Sequence, residues 1–87
     1  MNSNLYTKED LVSRPRATIL ITHGLGEHCG RYDEWVFDLN REDISIFRYD
    51  LPGHGRSRSG SWLFKDFNKL VSALQSQYQK AFEYSER

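Results

Sequence analysis

Apolar positions along this chain follow two rhythms, one of strands and one of helices. Ala17-Thr18-Ile19-Leu20-Ile21-Thr22 is β-branched and continuously apolar, which predicts a strand covered on both faces. Tyr32, Trp35, Val36 and Leu39 then recur at i, i+3, i+4 and i+7, one face of a helix. Asn40-Arg41-Glu42-Asp43 is expected to end that helix. Ile44-Ser45-Ile46-Phe47-Arg48-Tyr49-Asp50 reads as a second strand, with Ile44, Ile46 and Phe47 directed to the core. Proline and glycines in residues 51–60, LPGHGRSRSG, exclude regular structure there. Helical spacing returns with Phe64, Phe67, Leu70, Val71, Leu74, Tyr78 and Phe82, while Lys65, Asn68, Lys69, Gln75 and Gln79 fall on the opposite face.

Strand, helix, strand, helix is a βαβα unit of the α/β class, which implies parallel strands joined by a right-handed crossover. Residues 1–16 are polar, with Leu5-Tyr6 and Leu11-Val12 as short apolar pairs, and Pro15 keeps Arg14 extended. They read as an extended segment able to form an edge strand, and residues 17–87 as one partial domain. Two parallel strands and two helices leave sheet surface uncovered, so the unit reads as part of something larger.

Composition narrows the function classes. Eighty-seven residues hold one small domain at most. Apolar content of 38% with 28% charged residues suits a folded soluble chain. Twelve basic residues balance twelve acidic ones and are interspersed with them, so no basic face points to nucleic acid. The single cysteine makes no internal disulfide, which suits a reducing compartment. No apolar run is long enough to span a bilayer, and MNSNLYTKED carries no signal-peptide pattern. The expected location is cytoplasmic, with peripheral membrane association left open.

The chemistry concentrates in residues 22–32, THGLGEHCGRY. Gly24-Leu25-Gly26 begins a dinucleotide-binding G-x-G-x-x-G, with Asp50 ending the next strand, but position 29 is Cys29 and Gly30 comes one place late. His23, His28, Cys29 and His54 have no metal-ligand spacing, so histidines bonded to loop backbone are the simpler reading, and no metal is expected. The third reading is an oxyanion loop. His-Gly-x-Gly behind an apolar strand lets peptide N–H groups turn inward, where they stabilise a developing oxyanion.

HGLGEHCGRY followed by YDLPGHGRS resembles the paired motifs HGxGEHxxRY and YDxxGHGxS of the α/β-hydrolase superfamily, in its monoacylglycerol lipase and lysophospholipase branch with a serine aminopeptidase-like domain. The resemblance implies the N-terminal βαβα portion of an α/β-hydrolase parallel sheet. It implies that the Leu25 N–H is an oxyanion donor, that His23, Gly24 and Gly26 shape the turn, and that Glu27, His28, Arg31 and Tyr32 brace it. Asp50, Gly53, His54, Gly55 and Ser57 would form a supporting second loop. The implied substrate of the intact protein is an acyl ester or lipid-like molecule, with no cofactor. Leu70-Val71 departs from the family, which often has Asp before Leu there.

The fold's nucleophile sits in G-x-S-x-G, followed by an acid and a histidine. That pentapeptide is absent from the sequence; the nearest, Gly55-Arg56-Ser57-Arg58-Ser59, has Gly60 one place late. Ser57 beside His54 has nothing to orient the histidine, so turn hydrogen bonding is the simpler role. The expectation is an N-terminal hydrolase fragment that is inactive alone. The alternatives are a non-enzymatic short paralogue that binds an acyl ligand or pairs with a partner and, remotely, a dinucleotide-binding unit.

Overall fold

A computed structural model describes residues 5–24, 27–51, 56 and 67–86. The elements are β1 (Thr7–Asp10), β2 (Ala17–Thr22), a 3₁₀ turn (Cys29–Tyr32), α1 (Asp33–Arg41), β3 (Ile44–Tyr49) and α2 (Phe67–Ser85). Their sheet has the order β1-β3-β2. The predicted parallel pair is present, with Ala17 opposite Ile44 and Thr22 opposite Tyr49. β1 adds a third, antiparallel strand on the other side of β3, with Thr7 opposite Tyr49 and Asp10 opposite Ile46.

β3 is central and buried on both faces. Its odd positions meet α2: Ser45 Oγ bonds the Tyr84 hydroxyl at 2.8 Å, and the Phe47 and Tyr84 rings meet edge to face. Tyr49 packs with Leu51 and Ala73, flanked by Leu5, Leu20 and Leu70. Its even positions face α1, where Arg48 Nη1 donates to Asp33 Oδ1 at 2.6 Å. One helix therefore lies on each face of the sheet. β2, expected to be covered on both faces, is only half-buried from Thr18 to Ile21, because it forms an edge of this sheet.

The 3.6-residue period located both helices and turned Val36 and Leu70 to the core, but misassigned other side chains. In α1 only Val36 is buried, and Trp35 is 63% exposed with its ring beside Tyr32. Asn40 turns inward instead, donating to the carbonyls of Asp10 and Ile44 at 3.0 and 2.7 Å. After α1 the chain reverses through Asp43 at φ 64°, a left-handed conformation that Asp tolerates better than most residues; its carbonyl accepts the Arg16 N–H at 2.8 Å. α2 buries Ala73, Gln77 and Ala81, small or flexible side chains that let the helix approach the sheet closely. The expected apolar face at Leu74, Tyr78 and Phe82 points outward, at 42%, 57% and 45% exposure. Phe64, Lys65 and the side chain of Phe67 lie outside the described residues.

Candidate functional site

β2 and β3 run parallel and end level, so the chain leaves both at the same end of the sheet. Parallel α/β sheets bind ligands at this carboxyl end. The first residue past β2 is His23, whose side chain is buried between the two loops. Its Nε2 accepts the Leu51 N–H at 2.9 Å, which leaves Nδ1 to donate to the Gly24 carbonyl at 2.7 Å. Both ring nitrogens are therefore occupied by backbone bonds, and this imidazole ties one loop to the other.

Asp50 makes the second tie. One carboxylate oxygen accepts the Cys29 N–H at 2.6 Å, and the other accepts the Arg56 N–H at 2.8 Å. Burial alone would raise its pKa, but the N–H donors of Cys29 and Arg56 favour the charged form and hold it below the usual carboxylate value. The Cys29 thiol is pushed up to about 12 by burial and by the charge of Asp50, so it carries no thiolate near neutral pH.

Glu27 closes the first loop on itself. Its Oε1 accepts the Gly24 N–H at 3.1 Å and the Tyr32 hydroxyl at 2.8 Å, and Oε2 stands 3.6 Å from Arg31 Nε. The Gly24 N–H, then the Tyr32 hydroxyl, lower the Glu27 pKa, and the same bond raises that of the Tyr32 phenol. The Glu27 N–H returns to the Gly24 carbonyl at 3.1 Å, so backbone and side chain together clamp the ends of the turn. His28 is exposed, and a Cβ at Gly30 would come within 3.0 Å of its Nδ1; glycine is what lets the ring lie there.

Arg48 is a residue that motif reading did not find. It is 2% exposed and donates to Asp10 Oδ2 at 3.0 Å, to Asp33 Oδ1 at 2.6 Å and to the Cys29 carbonyl at 3.0 Å. It thus supports the first loop from beneath. The available signal was an arginine inside a strand whose neighbours are apolar, since a buried cation needs several acceptors.

His23, Gly24, Glu27, Arg31, Tyr32 and Asp50 are thus gathered at one end of the sheet. Leu25, Gly26, Gly53, His54, Gly55 and Ser57 lie outside the described residues. Among the described residues no group of three His, Cys, Asp or Glu side chains is placed to hold a metal ion. Nor is any helix among them long and apolar enough to cross a membrane.

The sequence profile of the family described as serine aminopeptidase, S33 matches residues 13–87. This chain belongs to that α/β-hydrolase family. Among its relatives, the monoglyceride lipase of Rattus norvegicus is 45% identical over 60 residues, which are 69% of this chain and 20% of the lipase. A monoglyceride lipase homolog of Monkeypox virus is 42% identical over 60 residues, 69% of this chain and 22% of its own length. Protein K6 of Vaccinia virus (strain Western Reserve) is 38% identical over 66 residues, which cover 76% of this chain and 79% of Protein K6. The chain spans about a fifth of the length of the monoglyceride lipases it matches. Within this family the sheet seen here, two parallel strands and one antiparallel, fits the N-terminal portion of an incomplete hydrolase fold.

Proposed function

We propose that this chain is the N-terminal portion of a serine ester hydrolase of the monoglyceride lipase type, that its loop after β2 is the oxyanion loop, and that it turns over no ester alone. The observation that carries the reading is the double tie between the loops: His23 to Leu51, and Asp50 to both Cys29 and Arg56. A loop tied on both sides, at His23 and at Cys29, at the carboxyl end of parallel strands suits an oxyanion donor, which must be oriented before charge develops. In this proposal the Leu25 N–H is that donor, and His23, Gly24, Gly26, Glu27, His28, Arg31 and Tyr32 fix the turn. Asp50, with Gly53, His54, Gly55 and Ser57, supports it from the second loop. The acyl carbonyl of a lipid-like ester would place its oxygen at Leu25, while the attacking serine, acid and histidine belong to sequence that this chain does not contain. Residues 1–16 would serve as an edge segment, and 17–87 as the partial hydrolase domain.

Two measurements test the proposal. The chain alone is expected to leave p-nitrophenyl esters uncleaved; turnover that disappears with Ser57→Ala would overturn the absence of a nucleophile. Residues 13–87, grafted in place of the matching segment of a monoglyceride lipase, are expected to support hydrolysis. In that graft Leu25→Pro, which removes the N–H, should lower kcat about 100- to 1000-fold while Leu25→Ala leaves it nearly intact. Equal activity of both variants would refute the oxyanion role.

Protein K6 favours a second reading, because this chain covers 79% of that relative as against a fifth of the lipases. In that reading the chain is a short non-enzymatic paralogue that binds an acyl ligand or a partner. Saturable binding of a fatty acid or monoacylglycerol by the unmodified chain, without turnover, would support it over the first.

A further inference from the structure

Arg48 is a buried cation in the middle strand of the sheet. Burying a guanidinium adds little net stability, because apolar side chains of similar volume in its place are often neutral or better. What it adds is direction, a planar fork of N–H donors at fixed angles. Here the fork reaches three segments. Nε donates to Asp10 Oδ2 on β1 at 3.0 Å, while Nη1 donates to the Cys29 carbonyl at 3.0 Å and to Asp33 Oδ1 at 2.6 Å. Cys29 opens the 3₁₀ turn and Asp33 is the first residue after it, so one nitrogen spans that turn from end to end. Cys29 is also gripped on both sides of its own main chain: its N–H donates to Asp50 Oδ1 at 2.6 Å, and its carbonyl accepts from Arg48.

The turn passes this constraint to the loop before it. Tyr32, its last residue, donates to Glu27 Oε1 at 2.8 Å, and the same oxygen accepts the Gly24 N–H at 3.1 Å. The Glu27 N–H returns to the Gly24 carbonyl at 3.1 Å. That carbonyl belongs to the peptide unit that ends in the Leu25 N–H; a peptide unit is planar, so what orients one end orients the other.

We propose that Arg48 is a positioning residue for the loop after β2, that it acts by holding the 3₁₀ turn through Cys29 and Asp33, and that through Asp10 the strand β1 shares in the positioning. Its consequence for catalysis rests on the oxyanion reading above; its hold on the loop does not. Removing the donors should free the turn while leaving the sheet paired, because β3 keeps main-chain partners on both sides.

Cys29, the only cysteine in the chain, is buried at the clamped turn and serves as the reporter. N-ethylmaleimide should label it far more slowly in the native full chain than in urea. Arg48→Met, which keeps the aliphatic stem, should speed labelling about tenfold or more beyond any change in global stability, and Asp10→Ala should do so to a smaller extent. Arg48→Lys, a charge without the fork, should fall between the native chain and Arg48→Met. Charge alone has the opposite sign at Arg48: its cation lowers the Cys29 pKa, so removing it would slow labelling. In the lipase graft, extended to residues 5–87 to include Asp10, Arg48→Met should lower kcat about tenfold or more with KM changed less than about twofold. Should Arg48→Met unfold, Arg48→Lys and Asp10→Ala carry both comparisons. Labelling that tracks global unfolding in every variant would overturn the proposal, as would a native chain labelled as fast as the unfolded one. So would a graft in which the Arg48 variants leave kcat intact while Leu25→Pro lowers it. A graft indifferent to Leu25→Pro would sink the oxyanion reading alone, and the labelling rates would still decide whether Arg48 holds the turn.

Discussion

A single carboxylate, Asp50, joins two loops that are separated in sequence, and it does so through main-chain donors, Cys29 N–H at 2.6 Å and Arg56 N–H at 2.8 Å. An amide in its place has one acceptor oxygen, so Asp50→Asn must turn an NH₂ group against one of those donors. The expected cost is about 1–3 kcal/mol at neutral pH, measured by urea unfolding. The pH dependence has a definite sign. The folded pKa of Asp50 lies below its ordinary value of 3.8, so its contribution is complete above about pH 4 and is lost as pH falls through the folded value. Glu27 and Asp33 are shifted the same way, Asp33 chiefly by its bond from Arg48. The Asn variant should therefore show a shallower acid loss of stability than the native chain, without abolishing it. Identical slopes for the two proteins would refute the assignment of this carboxylate as the tie.

At the scale of the element, α2 shows what periodicity can and cannot read. The 3.6-residue pattern located a helix, because apolar residues at three- and four-residue spacing have no other consistent arrangement. It placed Leu70 correctly against the core but took Leu74, Tyr78 and Phe82 for the buried flank in place of Ala73 and Ala81, because large side chains were read as the buried ones. Close approach to a sheet selects small side chains, and only the partner surface makes that requirement visible. Trp35 and Asn40 exchanged places in α1 for a related reason, since Asn40 can satisfy two carbonyls that Trp35 cannot. Gln77 remains the imperfect contact of α2: it is 6% exposed, its Nε2 meets Ser76 Oγ at 3.3 Å, and its Oε1 has no partner among the described residues. A buried unpaired acceptor is costly, so Gln77→Leu should stabilise the chain by about 1 kcal/mol in urea unfolding. A loss of stability would show that the amide oxygen is satisfied.

For the molecule as a whole, the sheet is ordered from the inside outward. His23, Glu27 and Asp50 could be singled out from the sequence because they stand in the paired loop motifs; their short-range bonds, to Gly24 and Arg56, follow from local spacing, whereas the ties from His23 to Leu51 and from Asp50 to Cys29 needed the fold. Arg48 escaped because its partners, Asp10, Cys29 and Asp33, come from three segments and converge only once β3 lies between β1 and α1. That convergence makes β3 the element on which the others depend. It pairs on both sides, is buried from Ser45 to Tyr49, and receives a helix on each face. β1 pairs on one side over four residues and is held by polar contacts at Glu9 and Asp10. Opening β1 leaves the β2–β3 pair and both helix contacts intact, so it should require less free energy than global unfolding. Amide hydrogen exchange should then find Ser45–Tyr49 exchanging only through global unfolding. Thr7–Asp10 should exchange about tenfold faster or more, since each ~1.4 kcal/mol of difference in opening energy gives a factor of ten. Equal protection of the two strands would mean that β1 is not a separable edge but part of the same cooperative unit, held there by Arg48.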